Sequence, residues 1–126
     1  MAVNVRDEGN VSIVHLSGEF TLGKGNLARP LDLHGHRLED LGQILRGILD
    51  RGGCHIVLDL EQVRFIDSAG LGELVAWKKR TLQLGGDVRL LRPRDRVREI
   101  LELTALTRVF QTFEAEAEAV ASFRKA

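Results

Sequence analysis

Twice along this chain an apolar pattern of helical period runs into a glycine pair, and an apolar stretch suited to a strand follows at once. Leu38, Leu41, Leu45, Ile48 and Leu49 recur at helical spacing before Gly52-Gly53, and Ile56-Val57-Leu58 comes next. Leu71, Leu74, Val75 and Leu82 do the same before Gly85-Gly86, and Val88 to Leu91 comes next. Helices alternating with strands in this way predict crossover connections and parallel strand pairs. A short continuous apolar run such as 56–58 fits a strand covered on both faces. Upstream, Val3 to Arg6 and Val11 to Ser17 read as two strands joined through Glu8-Gly9-Asn10, a turn that suits a hairpin. After a short connection, Val63 and Phe65 alternate with polar neighbours and lead into Ile66-Asp67-Ser68. Farther on, Val97, Ile100, Leu101 and Thr104 predict a third helix, capped by Asp95 after Pro93. Val109 to Phe113 reads as a short edge strand, and Ala115, Ala119, Val120 and Phe123 as a last helix. The expected architecture is α/β: one domain over residues 1–126, with a mixed sheet opening on a hairpin and about four covering helices. Thr21 to Leu33 has no sustained period, so a long loop is expected over about 21–35.

Composition narrows the function classes. With 18 basic and 18 acidic side chains the formal charge is zero, which removes any global pull toward nucleic acid or anionic membrane. The 44% hydrophobic and 29% charged fractions suit a folded globular chain. Cys54 is the one cysteine, which excludes an intramolecular disulfide and a zinc site built on several cysteines. Met1 to Glu8 lacks the pattern of a secretory leader, and no stretch approaches a transmembrane length. The expectation is a cytoplasmic protein with no membrane insertion, no direct nucleic-acid contact and no metal or other cofactor.

The stretch with most chemical content is Val63-Arg64-Phe65-Ile66-Asp67-Ser68-Ala69-Gly70-Leu71-Gly72. An apolar strand ends, two capping residues follow, and a helix begins. The first N–H groups of a helix lack internal partners and carry partial positive charge. A phosphate on Ser68, bringing a charge of roughly −1.5 to −2, would meet those groups rather than be repelled by them. Gly70 and Gly72 leave the first turn sparsely covered, so a partner's backbone can approach. The plainer reading is that Asp67 or Ser68 only caps the helix.

Ile66-Asp67-Ser68-Ala69-Gly70-Leu71-Gly72 resembles the central motif of STAS domains of the bacterial anti-sigma factor antagonist type. The resemblance extends to Leu16-Ser17-Gly18-Glu19, Ile56-Val57-Leu58-Asp59-Leu60 and Gly85-Gly86-Asp87-Val88, and covers most of the chain outside 21–35. It implies that Ser68 is phosphorylated by a partner that is both anti-sigma factor and serine kinase. Only the unphosphorylated form would bind that partner and release the sigma factor, and a serine phosphatase would restore it. Asp67, Ala69, Gly70 and Gly72 would then form the docking surface with Glu19, and with Thr21, which stands near a position where family members often carry an acidic residue. The stretch between Glu19 and the Asp-Ser motif is about a dozen residues longer than in compact members. A scaffold or transport-complex subunit that uses the same surface without phosphorylation is the alternative.

Other signals are weaker. Gly18 to Gly25 nearly spells a nucleotide-binding P-loop, but Gly25 stands where a hydroxyl must hold magnesium; a small nucleotide-binding protein remains the third reading. His34-Gly35-His36 has no partner at ligand spacing. His15 and His55 are expected to be packing or strand-edge residues, and Cys54 a small buried thiol. The arginine run Arg89, Arg92, Arg94, Arg96 and Arg98 lacks interleaved aromatics and reads as a solvated rim balanced by Asp95, Glu99 and Glu102. Trp77 lies off the Leu71-Leu74-Val75 stripe, where it either anchors a partner or covers the flank of its own helix.

Overall fold

In the computed structural model, which describes residues 2–20 and 38–124, Glu8 pairs with Val11 across a two-residue turn. Gly9 there takes φ +62, a value that short hairpin turns require and side-chain-bearing residues resist. The turn joins β1 (Ala2–Glu8) to β2 (Val11–Phe20). Then follow α1 (Leu38–Asp50), β3 (His55–Ile66), α2 (Ser68–Gln83), β4 (Asp87–Leu91) and α3 (Asp95–Leu103). A 3-10 turn (Leu106–Arg108), β5 (Thr112–Phe113) and α4 (Glu116–Ser122) complete the order. The strands form one five-stranded sheet in the order β1-β2-β3-β4-β5. The hairpin is antiparallel and every other pair is parallel, which is the mixed sheet the helix–strand alternation predicts.

Alternation along the strands sorts the core into two layers. Val14, Leu16, Ile56, Leu58, Leu60, Val88 and Leu90 face Leu41, Leu45 and Ile48 of α1, Leu71 and Leu74 of α2, and Val97 and Leu101 of α3. Val11, Ile13, Val57 and Leu91 face Ala119 and Val120 of α4, flanked by Phe113 and Phe123. Each large apolar side chain buried this way stabilises the fold by about 1.5–3 kcal/mol. Because α4 is only 7 residues long, it covers the lower part of its face, and the upper part carries His15, Asp59 and Phe65.

Several expectations are corrected. Residues 55–66 are one 12-residue strand, not two runs with a connection between them. The β2–β3 ladder shifts register between His15 and Ser17 and again between Gly18 and Glu19. Each shift accommodates an extra β3 residue. The first breaks the alternation at Glu61-Gln62, which therefore resembles a loop in the sequence. The cap of α3 is Arg94, with no side-chain cap bond, and Asp95 is the first helical residue. The segment 109–113 is strand only at Thr112–Phe113, the edge of the sheet; Val109 is exposed. Leu82 is exposed rather than part of the apolar stripe, and Cys54 is half-buried. The loop expected over 21–35, His34-Gly35-His36 and the larger part of Gly18–Gly25 lie outside the described residues.

Candidate functional site

Asp67 leaves β3 with extended backbone (φ −92, ψ 179) and caps α2, its Oδ1 accepting the Gly70 N–H at 2.7 Å. The Asp67 carbonyl accepts the Leu71 N–H at 2.9 Å, which makes Ser68 the first residue of the helix. Capping therefore falls to Asp67, and the Ser68 side chain is exposed. Gly72 is also exposed, Ala69 is partly covered, and Gly70 is buried in the first turn. A Cβ on Gly72 would meet nothing within 4 Å, so open space lies beside that turn. The first turn carries no acidic residue, and the 16-residue helix brings its positive end to the corner.

The second strand ends level with this corner. The ladder pairs Phe20 with Ile66 and Glu19 with Phe65, so exposed Glu19 stands at the same end of the sheet as Asp67 and Ser68. Thr21, expected beside them, lies outside the described residues. Trp77 does not join the group. It is 4% exposed and falls into the buried stripe Gly70, Leu71, Leu74, Trp77, Thr81, with Arg80 over its ring at 4.7 Å. Trp77 follows Leu74 by three residues, which returns it to nearly the same face of a helix, so the expected partner anchor is corrected to a core residue.

Below the corner, on the sheet face above α4, sequence reasoning missed a polar cluster. Asp59 is 9% exposed at its side chain; its Oδ2 lies 2.8 Å from His15 Nδ1 and accepts from Arg92 Nη2 at 3.2 Å. Its Oδ1 accepts the Glu61 N–H at 3.1 Å, holding the first bulge of β3. Glu61 in turn pairs with Arg94 at 2.8 Å and with Arg92 at 3.7 Å. Burial works against the Arg92 charge, yet the Asp59 hydrogen bond and the charges of Asp59, Glu61 and Glu116 outweigh it and raise its pKa. The signal available in the sequence was an aspartate inside the apolar run Ile56–Leu60, a position that needs partners. Of the arginine run expected as a solvated rim, four members are paired, with carboxylates other than those anticipated: Asp87 for Arg89, Asp59 for Arg92, Glu61 for Arg94 and Glu114 for Arg98. Arg89 and Arg92 are half-buried rather than solvated.

Elsewhere, His55 packs against the Phe123 ring at 4.9 Å. Among the described residues no three His, Cys, Asp or Glu side chains are grouped to hold a metal ion, and no helix is long and apolar enough to cross a membrane.

Comparison with known proteins accords with this fold. A family model described as the STAS domain matches residues 2–119. The chain is 31% identical over 88 residues to BtrV of Bordetella bronchiseptica, covering 70% of this chain and 76% of BtrV. It is 26% identical over 120 residues to the anti-sigma F factor antagonist of Paenibacillus polymyxa, covering 95% and 92% of the two chains. Among solved structures, the Bacillus cell fate determinant SpoIIAA in its phosphorylated form shares the fold, with TM-score 0.68, 19% identity, and 96% and 98% of the two chains covered.

Proposed function

Because the chain belongs to the STAS domain family, we propose that it is an anti-sigma factor antagonist, a protein-binding module switched by phosphorylation of Ser68. The observation that carries this reading is the division of labour at the head of α2: Asp67 supplies the cap, and the neighbouring hydroxyl is left exposed. A serine needed for capping would be costly to modify; Ser68 has no such duty. That a protein of the same fold exists in a phosphorylated form adds support.

The unmodified corner, with Asp67, Ser68, Ala69, Gly70 and Gly72 beside Glu19, docks an anti-sigma factor that is also a serine kinase. Docking buries a small, mostly neutral patch over the first turn of α2. Phosphate adds a charge of roughly −1.5 to −2 there, close to the Asp67 carboxylate and Glu19. The helix terminus accommodates the charge, so the domain stays folded, while the interface loses shape fit and must desolvate a dianion. A serine phosphatase returns the chain to its docking form.

Affinity capture from lysate of the native cell, followed by mass spectrometry, tests the reading with three baits. Wild-type chain and Ser68→Ala should retain an anti-sigma kinase, and Ser68→Asp should lose it. Equal retention by Ser68→Ala and Ser68→Asp would contradict the switch.

A further inference from the structure

We infer that the outer edge of β1 pairs with the same edge of a second copy of this chain, antiparallel and centred on Val5, so that two sheets join into one. The inference goes beyond the switch at Ser68 and does not depend on it.

The two edges of the sheet differ. β5, at one of them, is 2 residues long, whereas β1, at the other, runs for 7 residues and pairs with β2 alone. The two-residue turn makes Glu8 and Val11 the first hydrogen-bonded pair of the hairpin, and such pairs recur at every second residue. Glu8, Arg6 and Asn4 therefore bond to β2, while the N–H and C=O groups of Val3, Val5 and Asp7 point to the open edge. Among the described residues no strand meets them. β1 holds neither a proline nor a register shift, two devices that blunt an edge against pairing.

Apolar side chains stop half-covered along the same edge. Val3 and Val5 lie against the core without being sealed in it, and so does Ile44 of α1. A Cβ on Gly42 would lie 3.9 Å from the Trp77 ring, so that flank of α1 faces α2. Ile44 comes two residues later, about 200° round the helix, and so turns the other way, toward β1. The open edge is thus a row of backbone groups with an apolar seam above it. A bare peptide strand satisfies the backbone and leaves the seam uncovered. A second copy supplies both, because residues opposite one another in an antiparallel pair share a face and its own α1 arrives on that face.

The side chains fit this register. Centring on Val5 uses the whole strand and sets Val5 against its symmetry mate, Val3 against Asp7, and Asn4 against Arg6, with no like charges opposite. The two Arg6 side chains become diagonal neighbours, and each keeps Glu8 and Glu116 of its own chain as partners. Centring on Arg6 would instead oppose two arginines. The antiparallel arrangement sends the two Ser68 corners to opposite ends of the joined sheet, where both stay free to dock.

Sedimentation velocity of the full chain over a concentration series tests the inference. Wild type should pass from monomer to dimer with a dissociation constant in about the micromolar range. Val5→Pro removes an outward N–H and no bond to β2, a position where an edge strand tolerates proline, and should raise that constant at least about tenfold. Val5→Lys and Val5→Glu each place like charges across the symmetry axis and should be monomeric, yet an equal mixture of the two should recover the dimer. That recovery shows that the variants are folded and reads the register directly. Ser68→Asp should dimerise like wild type. A wild type still monomeric at about 1 mM, or a dimer that all three Val5 variants leave intact, overturns the inference. So does a mixture that stays monomeric while both components keep the wild-type far-UV circular dichroism. If wild type is monomeric and Val5→Pro loses the kinase, the edge serves the partner and the inference falls.

Discussion

The Asp67 carboxylate accepts the Gly70 N–H at 2.7 Å, and that one bond sets where α2 begins and hence where Ser68 stands. A cap one residue later would turn the Ser68 hydroxyl toward the backbone and remove it from a partner's reach. The geometry therefore ties the stability of a helix end to the exposure of a single oxygen.

Removing the cap should be measurable. Asp67→Ala is expected to lower stability by about 1 kcal/mol in urea unfolding, and Asp67→Asn, which keeps an acceptor, by less than half of that. Equal stability of Asp67→Ala and wild type would show that the corner is held by other means.

Asp59 supports the same end of the sheet from below, tying β2 through His15, the first β3 bulge through Glu61, and the chain after β4 through Arg92. Asp59→Ala removes a nearly buried acceptor shared by three polar groups, His15, the Glu61 N–H and Arg92. The His15 and Arg92 side chains retain some solvent contact, so the expected loss is about 2 kcal/mol rather than the larger cost of a sealed ion pair. Urea unfolding at neutral pH checks this.

Two glycines should respond in opposite directions. At Gly86 an added Cβ would lie 1.8 Å from the Cys54 carbonyl oxygen, which accepts the Asp87 N–H at 3.0 Å and joins β3 to β4. Gly86→Ala is thus expected to destabilise by about 3 kcal/mol, because backbone must move. At Gly72 the space is open and the residue is helical, so Gly72→Ala should stabilise by up to about 1 kcal/mol. If Gly72 belongs to the docking surface, the same variant binds the kinase more weakly despite being more stable. Paired unfolding and binding measurements separate these effects.

Trp77 is the single tryptophan and lies in the core, so its fluorescence reports packing rather than docking. Its emission should be blue-shifted in the folded chain, move to longer wavelength on unfolding, and stay put when the kinase binds. Trp77→Ala should cost about 3–5 kcal/mol. A shift on kinase binding would return Trp77 to the interface.

The sequence carried the fold where local periodicity and glycine punctuation agreed. The helix from Leu38 stops at Asp50, short of Gly52-Gly53, and the strand after Gly85-Gly86 is present as expected. The hairpin was legible from Gly9 and its flanking alternation. What misled was any feature decided by partners distant in sequence. The two β3 bulges exist only through their ladder with β2, so Glu61 and Gln62 looked like a connection and Arg64 like an ordinary strand residue. Trp77 looked peripheral because Val75 was counted into the stripe, whereas packing selected Gly70, Leu74, Trp77 and Thr81. At the corner, Asp67 and Ser68 were legible as a pair, but which of them capped the helix was a matter of backbone geometry. The Asp59 cluster joins residues 15, 59 and 92, a contact no local window contains.

The measurement that bears most directly on the central claim is the affinity of the purified anti-sigma kinase for two homogeneous forms of this chain, unmodified and carrying phosphate on Ser68 alone. Calorimetric titration should give tight binding for the first and a dissociation constant at least about 100-fold higher for the second, with the same unfolding temperature for both. Matching affinities for the two folded forms would contradict a switch at Ser68.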